Sequence, residues 1–337
     1  MSEWRIYQGV GTPHDGIGRL PPPPPWRDFA HPGEPTPFDR DAEPDGGRRL
    51  PHQDAYRADE GTVEAVNTAL YLRRPLLVTG DPGTGKSTLA HAVARELRLG
   101  PVLRWPVNSK TALRDGLYRY DSLGRLEEAG VARESGEAAV RSDLGRFVRL
   151  GPLGTALAPY ALPRVLLIDE IDKSDIDLPN DLLDAFEEGA FEIPELSRVA
   201  DAQPVVRVRP ADEGEPVTVT GGVVRCQTFP FVILTSNGER EFPPAFLRRC
   251  VRLHLPAVDD DQRLRAIVRA HLGTADEDAA EVVRRFREHA ATGELATDQL
   301  LNAVYLMSRT PGDGAPGPER LAELVFQHLD VTVPAQP

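Results

Sequence analysis

Gly80-Asp81-Pro82-Gly83-Thr84-Gly85-Lys86-Ser87 fills every fixed position of the pattern G-x-x-x-x-G-K-[ST]. That pattern carries meaning only between a buried strand and a helix, and both flanks are present. Pro75-Leu76-Leu77-Val78-Thr79 is a short apolar run suited to a central parallel strand. Leu89, Val93, Ala94 and Leu97 then recur at helical spacing, and Gly100 supplies a stop. The glycines let backbone N–H groups turn inward on a phosphate while the helix N-terminus adds partial positive charge. Residues 80–87, with Thr88 following, are therefore expected to bind a nucleoside triphosphate. Lys86 is expected to neutralise the β- and γ-phosphates and the Ser87 hydroxyl to ligate magnesium.

A second motif supplies carboxylates. Val165-Leu166-Leu167-Ile168-Asp169-Glu170 is a buried-strand run ending in two acids. In an open parallel sheet ligands bind beyond the carboxyl ends of the strands, which brings these acids beside the phosphate loop. Asp169 is placed to hold magnesium, and Glu170 to orient and deprotonate an attacking water. A third strand run, Phe231-Val232-Ile233-Leu234-Thr235-Ser236, ends at Asn237. If that strand lies between the other two, Asn237 can reach the γ-phosphate or the water; otherwise it is a turn former before Gly238.

Pro243-Pro244 opens a short helix that ends at Arg248 and Arg249, followed by the strand Val251-Arg252-Leu253-His254-Leu255. Within one subunit the two arginines have no phosphate nearby. They are either surface ion pairs or act across a subunit interface.

The remainder sets boundaries. Residues 1–50 hold ten prolines and seven glycines, including Pro21 to Pro25, and show no sustained apolar period; a flexible tail is expected, an extended spacer or a polyproline ligand. Residues 51–256 carry the α/β pattern. Residues 197–227 read as an insertion with β-prone runs at 205–208 and 217–220, either a solvated hairpin or a contact-making one. From 257 to 337 four helical stripes predict a small all-α bundle. The expected fold is a three-layer α/β/α P-loop NTPase sheet followed by an all-α lid.

Composition excludes some classes. The net charge of −13 over 337 residues argues against a wholly electrostatic nucleic-acid binder. No apolar run approaches the roughly 20 residues of a membrane span, and the N-terminus has no signal-peptide core, so a cytoplasmic location is expected. Cys226 and Cys250 are the only cysteines, and neither they nor the eight histidines have metal-site spacing.

The order of phosphate loop, acidic strand, polar-ended strand, arginine pair and helical lid resembles the AAA+ ATPases, most closely the MoxR-type branch, over about residues 55–310. That branch has D-E-I-N-R and L-L-E-A-M-E-E where this chain reads Asp169-Glu170-Ile171-Asp172-Lys173 and Leu182-Leu183-Asp184-Ala185-Phe186-Glu187-Glu188. Its L-D-R-F finger motif corresponds to Leu247-Arg248-Arg249-Cys250, which gives Arg249 the arginine-finger role and puts Arg248 in place of an acid. The lid's usual second sensor arginine has no counterpart in Leu295-Ala296-Thr297-Asp298. The resemblance implies ATP and magnesium as cofactors and a homo-oligomeric ring, usually a hexamer. It also implies a protein-remodelling or chaperone-like role with a von Willebrand factor A domain partner. The competing classes are a nucleic-acid translocase or restriction-type motor, and a nucleotide-gated scaffold that does not hydrolyse.

Overall fold

The structure, a computed structural model, describes residues 4–31, 33–43, 56, 58–134, 143–256 and 297–309, with isolated positions between 264 and 287 and at 325. Helix α1 (Glu60–Leu72) starts at Asp59, whose side chain accepts from the Thr62 N–H, and leads into β1 (Leu76–Thr79). The phosphate-loop residues follow, then α2 (Lys86–Glu96) and β2 (Leu103–Pro106). Short helix α3 (Leu113–Leu117), β3 (Tyr118–Tyr120), α4 (Ser122–Glu134), β4 (Val148–Leu150) and α5 (Pro152–Ala156) precede β5 (Val165–Asp169). Next come α6 (Leu178–Glu188), β6 (Ala190–Glu192), α7 (Pro194–Ser197), β7 (Val205–Val208), β8 (Val217–Thr220) and β9 (Val223–Arg225). The chain continues through β10 (Phe231–Ser236), α8 (Pro244–Arg249) and β11 (Val251–His254) to α9 (Thr297–Arg309).

The central sheet has five strands in the order β11-β1-β10-β5-β2, every pair parallel. Alternate side chains feed opposite layers, as a pleated strand requires. Leu76, Val78, Val165, Leu167 and Ile233 pack with α1 and α2, whereas Leu77, Leu166, Ile168, Val232 and Leu234 pack with α5, α6 and α8. Both faces are covered, so the sheet is the middle layer of three. The expected lid falls mostly outside the described residues; α9 carries Leu300, Ala303 and Val304 buried.

The segment 197–227 is not a solvated hairpin. Strands β7 and β8 pair as expected, and β9, which the sequence did not signal, joins β6 to them in a sheet ordered β6-β9-β8-β7. Val206, Val208, Val217, Val219 and Val224 close a separate core with Tyr118, Leu144 and Tyr160.

The flexible tail expected over residues 1–50 is corrected where the structure describes it: residues 4–31 and 33–43 form a strap along the domain, and the rest of that segment lies outside the described residues. Ile6, Tyr7 and Ile17 are buried in the same core as α1 and α2. Glu96, fully buried on α2, accepts from the backbone N–H groups of Gln8, Gly9 and Gly11, and Asn67 accepts from those of Ile6 and Tyr7. Further along, Arg27 donates to the carbonyls of Arg73 and Phe186 while its guanidinium lies over the rings of Phe29 and Phe229 at 4.9 and 4.4 Å. We expect Ile6→Ala to cost about 2–5 kcal/mol in denaturant unfolding, as a core truncation does. A loss under about 0.5 kcal/mol, the range of an exposed position, would contradict this packing.

Both cysteines are free, and burial pushes each thiol up to about 12, which keeps them protonated and unreactive. No helix among the described residues is long and apolar enough to cross a membrane.

Candidate nucleotide site

Three strand exits meet at the carboxyl end of the sheet. Thr79 of β1 is in register with Ser236 of β10, and Leu234 of β10 with Ile168 of β5, so the phosphate loop, Asn237 and the Asp169–Glu170 pair leave from neighbouring strands. The strand carrying Asn237 does lie between the other two.

The loop is shaped by its glycines. Gly80 has φ +148°, and a Cβ there would stand 2.2 Å from the Leu255 carbonyl oxygen; Gly85, the residue before α2, has φ +90°. The loop backbone thus closes against Leu255, the residue after β11, and enters α2 in a conformation that side chains resist. Between them lie Asp81, Pro82, Gly83 and Thr84, whose hydroxyl donates to the Asp81 carbonyl at 3.0 Å. Lys86 is buried, with Nζ donating to the Gly80 and Asp81 carbonyls at 2.7 and 2.8 Å. Burial lowers its pKa, against the opposing pull of Asp172, Asp81, Asp169 and Glu170. An ammonium surrounded by carboxylates and folded onto carbonyls is a cation ready to exchange those oxygens for phosphate oxygens.

Asp169 is the hub. Its Oδ1 accepts from the Ser87 and Thr235 hydroxyls at 2.7 and 2.8 Å, and its Oδ2 from Arg104 Nη2 at 2.7 Å. Burial alone would raise its pKa, but the hydrogen bonds from Ser87, Arg104 and Thr235 hold the carboxyl below its ordinary value, so it is ionised at neutral pH. A hydroxyl and an ionised carboxylate in contact form the all-oxygen donor set that magnesium prefers. These residues fit the ion that the sequence implies.

Glu170 adopts φ +61°, a left-handed conformation that costs a non-glycine residue on the order of 1–3 kcal/mol. Its N–H donates to the Thr235 hydroxyl, and its Oε1 accepts from Lys173 at 3.0 Å. That pair raises the Lys173 pKa. Asn237 donates its backbone N–H to Asp172 Oδ2 at 2.8 Å.

Arg248 and Arg249 do not join this cluster. They end α8 just before Val251, which pairs with Leu76 at the amino end of β1, away from the phosphate loop. Arg249 Nε donates to Glu187 Oε1 at 2.8 Å, and Glu187 also faces the strap's Arg27 at 3.6 Å; Arg248 Nε donates to the Pro244 carbonyl. Within one chain Arg249 is therefore an exposed ion pair beside Trp26, Arg74 and Cys250.

Sequence reading missed Arg104, Thr235 and Asp172 as site residues. Arg104 had a signal, since it interrupts an apolar strand with alternating burial; the other two sit within quoted motifs but act only through contacts between strands.

A family model described as AAA domain (dynein-related subfamily) matches residues 75–250, just over half of the chain. No curated protein matches. Among solved structures, the crystal structure of NtrX from Brucella abortus in complex with ATP is similar at 14% identity and TM-score 0.39, over 85% of this chain and 58% of that one. The FIGL-1 AAA domain in complex with ADP is similar at 16% identity and TM-score 0.32, over 69% and 60% respectively. This chain thus spans less than two thirds of either neighbour's length.

Proposed function

We propose, because this chain belongs to the AAA domain family in its dynein-related subfamily, that it binds ATP with magnesium on residues 80–88 and hydrolyses it. The single observation that carries the reading is the Ser87–Asp169 contact at 2.7 Å, which joins the phosphate loop to the acidic strand. When bound, magnesium would be held by Ser87 and Asp169 and would offset charge on the phosphates. Lys86 leaves its loop carbonyls for the phosphates. Glu170 releases Lys173 and takes up the attacking water as a general base, and the Asn237 amide orients that water or the γ-phosphate.

Arg249 sits at the wrong end of the sheet to serve its own loop, which supports a role on a neighbouring subunit's phosphates in a homo-oligomeric ring, a hexamer in the MoxR-type reading. Arg248, exposed beside it, is the weaker candidate. The placement in that branch rests on Ile171 after the acids and on the Leu182–Glu188 helix. With it come protein remodelling as the output and a von Willebrand factor A domain protein as partner; the cytoplasmic location is proposed separately, on the sequence pattern alone.

Phosphate release by the purified chain, dependent on ATP and abolished by chelating magnesium, tests the activity. For the shared site, inactive Arg249→Ala and Glu170→Gln proteins are mixed in equal amounts. Recovery of about a quarter of wild-type turnover is expected, because pairing an intact base with an intact finger occurs at one interface in four when subunits mix at random. Mixtures that stay inactive would count against a finger acting in trans.

A further inference from the structure

The acidic strand and the polar-ended strand are joined beyond their ends. After Glu170 the chain makes a tight turn, Ile171–Lys173, and Asp172 within it is 3% exposed. Its Oδ2 accepts from the backbone N–H groups of both Asn237 and Glu239, at 2.8 and 3.2 Å. Arg240 adds a second tie by donating to the Ser174 carbonyl at 2.7 Å. On the inner side Thr235 donates to Asp169 and accepts from the Glu170 N–H. The residues flanking Glu170 and those flanking Asn237 are thus cross-linked on both sides. The Asn237 side-chain amide makes no hydrogen bond within the described residues, so its backbone is fixed and its amide is left for a ligand.

We infer that Asp172 is a positioning residue: by accepting from Asn237 and Glu239 it sets the distance between the Asn237 amide and the Glu170 carboxylate. The inference rests on the hydrolytic reading above. Water orientation depends on both groups at once, and a displacement of about 1 Å in such a pair can cost on the order of 100-fold in rate. Nucleotide affinity depends chiefly on the phosphate loop, to which Asp172 makes no hydrogen bond. It acts there only through its charge on Lys86, which Asp172→Ala and Asp172→Asn remove alike, so a difference between the two variants reports the link and not the charge. Its other oxygen, Oδ1, is buried without a partner. An asparagine can therefore place its amide oxygen at the two N–H donors and its nitrogen where Oδ1 now lies, keeping the link without the charge.

The test compares Asp172→Ala and Asp172→Asn in steady-state phosphate release and in binding of a fluorescent ADP analogue, with Glu170→Gln alongside. Asp172→Ala should lower kcat roughly 10- to 100-fold while KM and analogue affinity stay within about threefold, and Asp172→Asn should stay within about threefold of wild type in all three. Wild-type kcat in Asp172→Ala overturns the inference. So does a loss of analogue affinity as large as the loss of kcat, and so does an Asp172→Asn protein as slow as Asp172→Ala, which would mean that charge rather than the acceptor matters. If Glu170→Gln turns over normally, the hydrolytic reading falls and this inference with it; if only Asp172→Ala turns over normally, this inference falls alone. Should Asp172→Ala not fold, Asp172→Ser, too short to bridge both donors but able to hold water, makes the same comparison with the same expected values.

Discussion

Glu170→Gln is expected to keep nucleotide and lose turnover, by roughly two to four orders of magnitude, the contribution of a positioned general base. The change is nearly isosteric. Glutamine can still occupy the left-handed turn at φ +61° and still donates its backbone N–H to Thr235, so the strand exit is preserved. What disappears is the carboxylate. An amide cannot take a proton from water near neutral pH, and it cannot form the ion pair with Lys173 that the acid makes in this structure. That ion pair is exposed and contributes little to stability, so its loss is not expected to disturb folding. Steady-state phosphate release and binding of a fluorescent ATP analogue check the two halves separately. Turnover within about threefold of wild type would remove Glu170 from the mechanism.

Lys86→Ala acts one step earlier, on binding. The ammonium is buried and engages two loop carbonyls, and no other lysine lies in the loop. Truncating one partner of a buried charge pair costs about 2–5 kcal/mol, which is a weakening of nucleotide binding of roughly 30- to 5,000-fold. The apo protein should fold nonetheless, because alanine suits the first turn of α2 and the lysine's departure lets water reach the two carbonyls. Titration of the analogue by fluorescence gives the affinity, and unchanged melting without nucleotide shows that the fold is kept. Affinity within about fivefold of wild type would mean that the phosphates lie elsewhere.

The features legible in the sequence were those set by local pattern. The phosphate loop, the two apolar strands ending at Asp169 and Asn237, and the helix from Pro179 to Gly189 each carry their own periodicity and their own stop residues. Strap packing was not legible, because its stabilising contacts are distant in sequence. Pro and Gly deny residues 4–43 any regular period, while the acceptors that hold them, Asn67 and Glu96, look like ordinary helix residues until the fold turns them inward. Arg104 was hidden for the same reason. Its partner Asp169 lies on the adjacent strand 65 residues away, and only the pairing of β2 with β5 brings the two together.

The strap also fixes an order of events. Its residues are made well before their seats: Arg27 waits for the Phe186 carbonyl 159 residues downstream, and the Gly33 carbonyl for Gln227, 194 residues away. Contacts so remote in the chain form only after most of the domain has been synthesised, and their closure is slow relative to local pairing. The strap is thus made before the groups that hold it and docks only after they have formed.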